Sequence, residues 1–240
     1  MKNKRLISIL VVIVGLYFVG TLATYKSSLA ECRIAAGWGV ATFFFFLSAA
    51  FFPGKLILVA ILLLIISLFG LIKFTKMDGC FYTGGLRIFV LGLPMAFVAA
   101  AMLPTQWDDM SQWLPNARFL LEFNAFPSND LPKSPSIMPA YPYGLPLVVY
   151  MVSLTPDRLA ENAGPIFNFL MYLVLGVTIM RLIVEGSGQG VSKKNHGQPI
   201  DFNWGACALA ALLVVPLNPT WVTRLTFSNY SDVGTSVTLG

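Results

Sequence analysis

The chain has 240 residues, of which 56% are hydrophobic and only 11% are charged. Because a soluble domain carries about 25% charged residues, this composition excludes an ordinary water-soluble globule. The formal net charge is +5, but the basic residues lie in short loops and form no stripe with interleaved aromatic residues, so we expect no nucleic-acid partner.

Long apolar segments dominate the chain, and a helix of about 20 apolar residues can cross the hydrocarbon core of a membrane. Four such segments precede a long mixed loop, a fifth follows it, and a sixth begins at Trp204. The predicted segments are Leu6–Leu22, Ala35–Phe52, Leu56–Ile72, Ile88–Leu103, Ile166–Val184 and Trp204–Leu217. The sequence therefore predicts an all-α membrane protein, a polytopic helical bundle.

The loop at 104–164 is rich in Pro, Asn, Ser and aromatic residues and is longer than an ordinary connector. Inside it, Leu145–Leu154 is apolar but only ten residues long. A segment of this length predicts an interfacial or re-entrant helix, because it is too short to span. We expect this loop to lie outside the membrane and to carry two surface (juxtamembrane) helices.

The first of these two helices is predicted from an apolar stripe of helical period. Pro115 fits the first turn of a helix but not its interior, so the regular helix should begin near it. The stripe and the polar residues opposite it predict an amphipathic helix on the membrane surface. The stripe is Met110, Trp113, Leu114, Ala117 and Leu121, and the polar side is Asp109, Gln112 and Asn116.

Basic residues in short loops indicate which loops face the cytoplasm. The loops 73–87 and 185–203 are basic, which places both in the cytoplasm and 104–164 outside it. Three spans before residue 73 would put the N-terminus outside as well. Lys2, Lys4 and Arg5 favour the cytoplasm instead, so this conflict stays open.

Two parts of the chain are expected to differ in role. Residues 1–87 contain about three spans and a basic cytoplasmic loop, and residues 88–240 contain the remaining spans and the acidic external loop. The last residues read like the start of a further helix, so we expect the chain to be the N-terminal portion of a longer protein.

The stretch "TQWDDMSQW" places two adjacent carboxylates, Asp108 and Asp109, directly after an apolar segment. Trp107 and Trp113 suit the headgroup belt of a membrane. Two interpretations fit this pattern. The acids cap an interfacial turn and are solvated, or they form the chemical end of a membrane enzyme.

Four pieces in this order resemble the GT-C superfamily of integral-membrane glycosyltransferases, closest to its protein O-mannosyltransferase and aminoarabinose-transferase branch. The pieces are "WDDMSQWLPNARFLLEFNAFP", "PAYPYGLPLVVYMVSL", "DRLAENAGPIFNFLMYLVLGV" and "NPTWVTRLTFSNYSDVG". The resemblance covers residues 88–240. Two departures stand out: Asp109 replaces the usual Glu of the acidic pair, and the turn at 141–144 lacks the basic residue that some relatives carry.

The resemblance implies transfer of a sugar from a polyprenyl-phosphate donor to a lipid, glycan or protein acceptor. The active face would be the extracytoplasmic side of a bacterial inner or plasma membrane, and membrane lipids would be further partners. Asp108 would be the general base, Asp109 would position the acceptor, and Asp232 would orient donor or acceptor. A divalent cation held by Asp108 and Asp109 stays an alternative, and no other cofactor is expected.

Further residues would bind substrate under the same resemblance. Arginine and lysine side chains can hold the leaving phosphate, and aromatic rings can line a sugar site. The candidates are Arg118, Lys133, Arg158, Arg224, Trp107, Tyr141 and Tyr143. Each also has an ordinary interpretation, because basic residues anchor headgroups, aromatic residues form membrane belts, and Asp232 fits the dipole of a helix start.

A transporter or flippase is the main rival prediction. Such proteins place ionisable residues inside their spans, near the middle of the membrane. Here the spans are almost free of them and the acids cluster at one surface. A non-catalytic membrane assembly protein is the other alternative.

Overall fold

The computed structural model describes residues 2–24, 30–74, 83–102, 104, 106–156, 158–186, 203–214 and 229. Within these ranges the chain is helical and contains no strand, which confirms the all-α prediction. The helices are α1 (Lys2–Ala23), α2 (Arg33–Phe51), α3 (Leu56–Phe74), α4 (Thr83–Ala101), α5 (Leu114–Phe123), α6 (Gly144–Ser153), α7 (Ala163–Gly186) and α8 (Trp204–Val214). A 3₁₀ turn at Ala30–Cys32 precedes α2, and a π-helical segment at Asp109–Trp113 precedes α5.

Helices α1, α2, α3 and α7 each contain a stretch long and apolar enough to cross a membrane. The apolar stretches of α4 and α8 are shorter, at Gly85–Ala101 and Trp204–Val214. Large apolar side chains cover the outside of the bundle, among them Leu64 and Phe69 of α3. A soluble monomer rarely exposes such a surface, whereas lipid tails solvate it, so the fold is that of a membrane bundle.

One end of the bundle, here called the acid end, carries Asp109. The N-terminal half of α1 reaches this end, because Ile9 packs in one cluster with Leu114 of α5. The turn between α2 and α3 reaches it too, since the Asn124 side-chain amide donates to the Gly54 carbonyl at 2.9 Å. Helix α1 therefore begins at the same end of the bundle as the acid pair.

The other end, here called the opposite end, is held by buried polar contacts between α7 and the segment before α2. The Glu31 carboxylate accepts two hydrogen bonds from Arg181 Nη1, at 3.2 and 3.3 Å. The Arg33 guanidinium is buried and donates to the Tyr17 hydroxyl of α1 at 2.9 Å. These contacts join α1, α2 and α7 where α4 begins its return to the acid end.

Helices α1 and α2 cross at two glycines. A Cβ atom on Gly20 would lie 1.7 Å from the Arg33 carbonyl oxygen, and one on Gly37 would lie 1.8 Å from the Leu16 carbonyl oxygen. Both neighbours are backbone atoms, so no side-chain rotation could relieve either clash. Small residues let membrane helices approach closely and gain van der Waals contact, and the two glycines set this helix distance.

Both short helices predicted for the external loop are present, and the second, α6, is buried along almost its whole length. Trp38 of α2 donates its indole N–H to the Gly144 carbonyl at the start of α6, at 2.9 Å. Its ring packs edge-on against Phe167 of α7, 5.3 Å between centroids. Residues 1–87 and 88–240 therefore share one hydrophobic core around α6.

The prediction for the first short helix was wrong for its polar side, and its apolar stripe is buried only in part. Asp109, Gln112 and Asn116, expected to face water, are buried against the bundle. Met110, on the apolar stripe expected to face the membrane, is 63% exposed, whereas Trp113 of the same stripe is buried. The π-helical segment and the buried side of α5 turn the polar residues toward the interior of the protein.

Candidate functional site

The acid pair is positioned by the π-helical turn between Asp109 and Trp113. The Leu114 N–H donates to the Asp109 carbonyl, five residues back instead of the usual four. Pro115 follows in the first turn of α5 and has no N–H to donate. Such wide turns inside helices are rare and occur frequently at functional sites.

Asp109 is held in a fixed, buried position. Its side chain is 1% exposed, and Oδ1 accepts the Asn229 backbone N–H at 2.7 Å. Oδ2 is also buried and has no hydrogen-bond partner among the described residues. Burial raises the pKa of Asp109 from its ordinary value of 3.8 to about 6; the amides of Asn229 oppose this and the charge of Asp108 adds to it.

Asp108 is placed differently from its neighbour. It is half-buried, and the preceding Trp107 is 68% exposed. A bound molecule can therefore approach the Asp108 carboxylate from outside while Asp109 stays anchored. The two carboxylates are adjacent in sequence but unequal in environment, which is the usual basis for dividing roles between two acids.

Asp109 belongs to a group of buried polar atoms that lack partners in the described part of the chain. Leaving such an atom unsatisfied costs about 1–3 kcal/mol, so water or a ligand is expected to complete them. Most are hydrogen-bond acceptors, which suits a ligand rich in hydroxyl groups. The atoms are Asp109 Oδ2, Ser111 Oγ, Gln112 Oε1, Asn162 Oδ1 and Asn229 Oδ1.

Asn229 and Asn162 bring this polar group to the start of α7. The Asn162 amide donates to the Ala100 carbonyl at the end of α4, at 3.1 Å. Asn229 Oδ1 lies so close to Gly164 that a Cβ atom there would be 2.1 Å from it. The first turn of α7 is the positive end of the helix dipole, which favours negative charge beside Asn229.

Residues 127–143, here called the strap, cover the outer side of the π-helical turn. The Ile137 N–H donates to the Ser111 carbonyl at 3.0 Å, and the Ser136 hydroxyl lies 3.5 Å from the Gln112 carbonyl. The Asn116 amide donates to the Met138 carbonyl at 3.3 Å. The strap is thus bonded to the segment that carries the acids.

The three predicted aromatic residues are placed unequally. Tyr143 is buried, and its hydroxyl lies 2.9 Å from the Pro139 carbonyl, which accepts its hydrogen. Burial also raises the pKa of the Tyr143 hydroxyl. Tyr141 is partly exposed and packs edge-on against Trp113, 5.0 Å between ring centroids. Trp107 and Tyr141 remain open to a bound sugar, whereas Tyr143 holds the strap to α6.

The predicted phosphate-binding cations are exposed wherever the structure describes them. Arg118 projects from the outer side of α5, Lys133 lies in the strap, and Arg158 lies in the turn that leads to Asn162. Arg224 and Asp232 lie outside the described residues. Arg158 is the cation nearest in sequence to the start of α7.

The side chains at this site can be compared with the ligands that a divalent cation needs. The described residues contain no group of three or more His, Cys, Asp or Glu. Mg²⁺ is commonly held by one or two carboxylates together with water and substrate phosphates. Asp108 and the free Oδ2 of Asp109 fit a cation of that kind, so they are the residues that would hold it.

Sequence reasoning found the two acids but missed the amide groups around them. Gln112 was recognised as part of a polar side and assigned to water. Asn162 stands four residues before the predicted span at Ile166 and directly before the observed α7, a position usual for a helix cap, and that signal could have pointed to it. Asn229 is separated from Asp109 by 119 residues, and no local pattern marks it.

Comparisons of the chain with protein-family models, with curated proteins and with solved structures found no match. The function therefore has to be inferred from the chemistry of the acid end itself.

Proposed function

We propose that this chain is a membrane glycosyltransferase, or the N-terminal part of one, that uses a polyprenyl-phosphate-linked sugar. The acceptor would be a lipid, a glycan or a protein on the extracytoplasmic side. The observation that carries this proposal is the buried Asp109 at the end of a membrane bundle, together with buried polar atoms in the same loop and at the start of α7 that lack partners among the described residues. A sugar ring offers hydroxyl groups that both donate and accept hydrogen bonds, so it suits these atoms.

The two acids take separate roles in the transfer. The acceptor oxygen bonds to the anomeric carbon while the bond from that carbon to the phosphate oxygen breaks, and the phosphate leaves with the electron pair. Asp108, which is reachable, takes the proton of the acceptor hydroxyl. Asp109 is fixed by Asn229 and uses Oδ2 to orient a substrate hydroxyl, and Asp232 would assist in orienting donor or acceptor.

The leaving phosphate needs positive charge. Arg158 and Lys133 are exposed and can reach a lipid phosphate, as can Arg118 from α5. A divalent cation held by Asp108 and Asp109 would neutralise the same charge when bound. The positive dipole end of α7, beside Asn229, would also stabilise the negative charge of the phosphate.

A transporter or flippase is the alternative function. It requires ionisable side chains near the middle of the membrane. In the described residues the buried acidic and basic side chains instead lie at the two ends: Asp109 at the acid end, and Glu31, Arg33 and Arg181 at the opposite end. A non-catalytic assembly role would leave the unpartnered polar atoms unexplained.

The test is sugar transfer from a polyprenyl-phosphate donor in membranes that contain the protein. We expect Asp108→Asn to lower the transfer rate by about 10²-fold or more, because a positioned general base contributes about 10²–10⁴-fold. Asp109→Asn should also lower it, and Asp130→Asn, at an exposed strap position, is the matched control. Transfer that survives Asp108→Asn and Asp109→Asn together refutes the assignment, and donor crossing the bilayer without transfer indicates a flippase.

A further inference from the structure

Beside the acid pair lies a set of apolar side chains that the protein leaves uncovered. They come from two segments that are distant in sequence, the turn before α5 and the strap. The set, here called the apolar rim, is Trp107 (68% exposed), Met110 (63%), Ile137 (52%), Met138 (46%) and Tyr141 (39%). No charged residue belongs to it. An exposed apolar surface of this kind marks an interaction site.

The rim is held rigidly by the chain that carries it. The Ile137 N–H bonds to the Ser111 carbonyl, next to Met110. The Met138 carbonyl accepts the Asn116 amide, and Tyr141 packs edge-on against Trp113. A loose loop in water would fold its apolar side chains inward, whereas here the backbone bonds hold them outward. The surroundings of the rim must therefore be apolar.

Exposed apolar side chains also line one side of α4, the helix that precedes the rim in sequence. Leu86, Val90, Leu93 and Phe97 are all exposed and follow one another at three- or four-residue intervals along that helix. Such spacing places them on one face, which ends at Ala101. Trp107 follows six residues later and is exposed as well.

We propose that the apolar rim inserts into the membrane leaflet at the acid end. Tryptophan and tyrosine are enriched at this depth of a bilayer, where rings meet both tails and headgroups. The carboxylates of Asp108 and Asp109 then lie at headgroup level, so that lipid-borne molecules reach them sideways from the leaflet. The insertion does not depend on the proposed glycosyl transfer. If that transfer takes place, insertion would present the lipid-linked donor directly to the two acids.

The test uses spin labels on the full chain in liposomes made of phosphatidylethanolamine and phosphatidylglycerol. Single cysteines replace Met110 and Ile137 in a background with Cys32, Cys80 and Cys207 changed to Ala. Lys133→Cys, at an exposed polar position of the same strap, is the matched control. Collision with oxygen, which concentrates in lipid, is compared with collision with a water-soluble nickel chelate.

Labels at 110 and 137 should collide several-fold more with oxygen than with the nickel chelate, and the label at 133 should show the reverse. Equal nickel accessibility at all three positions would place the rim in water and overturn the proposal. Low collision with both reagents at 110 and 137 would mean that a second copy or another protein covers the rim, which overturns it as well. Elution of each variant as one sharp peak establishes that the substitutions leave the fold intact.

Discussion

Asp109 combines two properties that surface carboxylates rarely share. One oxygen is fixed by a backbone N–H from a distant part of the chain, and the other is buried without a partner among the described residues. Burial of the carboxylate raises its pKa to about 6. Asp108 beside it is only half-buried.

The raised pKa of Asp109 predicts how stability depends on pH. The folded protein holds this proton up to about pH 6, whereas the unfolded chain releases it near pH 4, so unfolding is favoured as pH rises between these values. Above pH 6 the loss is complete and amounts to at most about 3 kcal/mol, since one pKa unit is worth about 1.4 kcal/mol. The Asp109→Asn substitution should remove this pH-dependent loss of stability.

Thermal unfolding in detergent between pH 4 and pH 7.5 measures this effect. The apparent Tm of the wild-type protein should fall with rising pH relative to that of Asp109→Asn. Asp130→Asn, which removes an exposed carboxylate, should follow the wild type. Parallel curves for wild type and Asp109→Asn would show that Asp109 is not buried as described.

At the residue scale the sequence revealed the carboxylates but not their surroundings. An acidic pair beside an apolar segment is visible by composition alone. The contact between Asp109 and Asn229 depends on how the helices pack, and no spacing in the sequence encodes it. The implied roles of Asp108, Asp109 and Asp232 in sugar transfer stay predictions.

The π-helical segment explains why the polar side of one element was predicted wrongly. Helical period was counted at 3.6 residues per turn from Met110 to Leu121, but the first turn is wider than that. The expected lipid-facing stripe is also largely used inside the protein, since Trp113, Leu114 and Ala117 are buried. The existence of both short helices was predictable, because length and apolar content decide it.

The crossing of α1 and α2 predicts a sharp difference between two glycines of α2. Gly37→Ala would place a methyl group 1.8 Å from the Leu16 carbonyl oxygen, whereas Gly39 has nothing within 4 Å of its Cβ position. We expect Gly37→Ala to destabilise the protein by about 1–3 kcal/mol, the usual cost of overpacking. Gly39→Ala should be neutral or slightly stabilising, because alanine favours helix.

Apparent Tm and the yield of monodisperse protein measure both variants side by side. Equal behaviour of the two alanine variants would mean that α1 and α2 do not approach through Gly37. A loss of yield only for Gly37→Ala supports the close crossing even where its Tm cannot be recorded.

For the whole molecule, the apolar segments were predictable and their assembly was not. Leu6–Leu22 falls within α1, Leu56–Ile72 within α3 and Ile166–Val184 within α7, because lipid solvation imposes long apolar runs. The shared core around α6 depends on contacts between Trp38 and residues more than 100 positions later. The GT-C resemblance stays a prediction.

The antiparallel course of α1 to α3 predicts that the N-terminus and the strap lie on one side of the membrane. Lys2→Cys and Lys133→Cys, in a background without native cysteines, should react with a membrane-impermeant maleimide from the same side. Lys73→Cys, at the end of α3, should react from the other side. Labelling of positions 2 and 133 from opposite sides would show that one of the three helices does not cross the membrane. The basic residues Lys2, Lys4 and Arg5, taken alone, favour that second topology.

The wide turn at Asp109–Trp113 makes the acid end sensitive to the length of the chain. Pro115 lies six residues after Asp109. Loss of any one residue between them would leave enough chain only for an ordinary α-helical turn and would rotate Asp109 by about 100° relative to α5. An in-frame deletion of three nucleotides could thus remove the buried carboxylate from its place while keeping both aspartates. In related sequences, the interval from the acid to the proline is therefore a better marker of this site than the acids themselves.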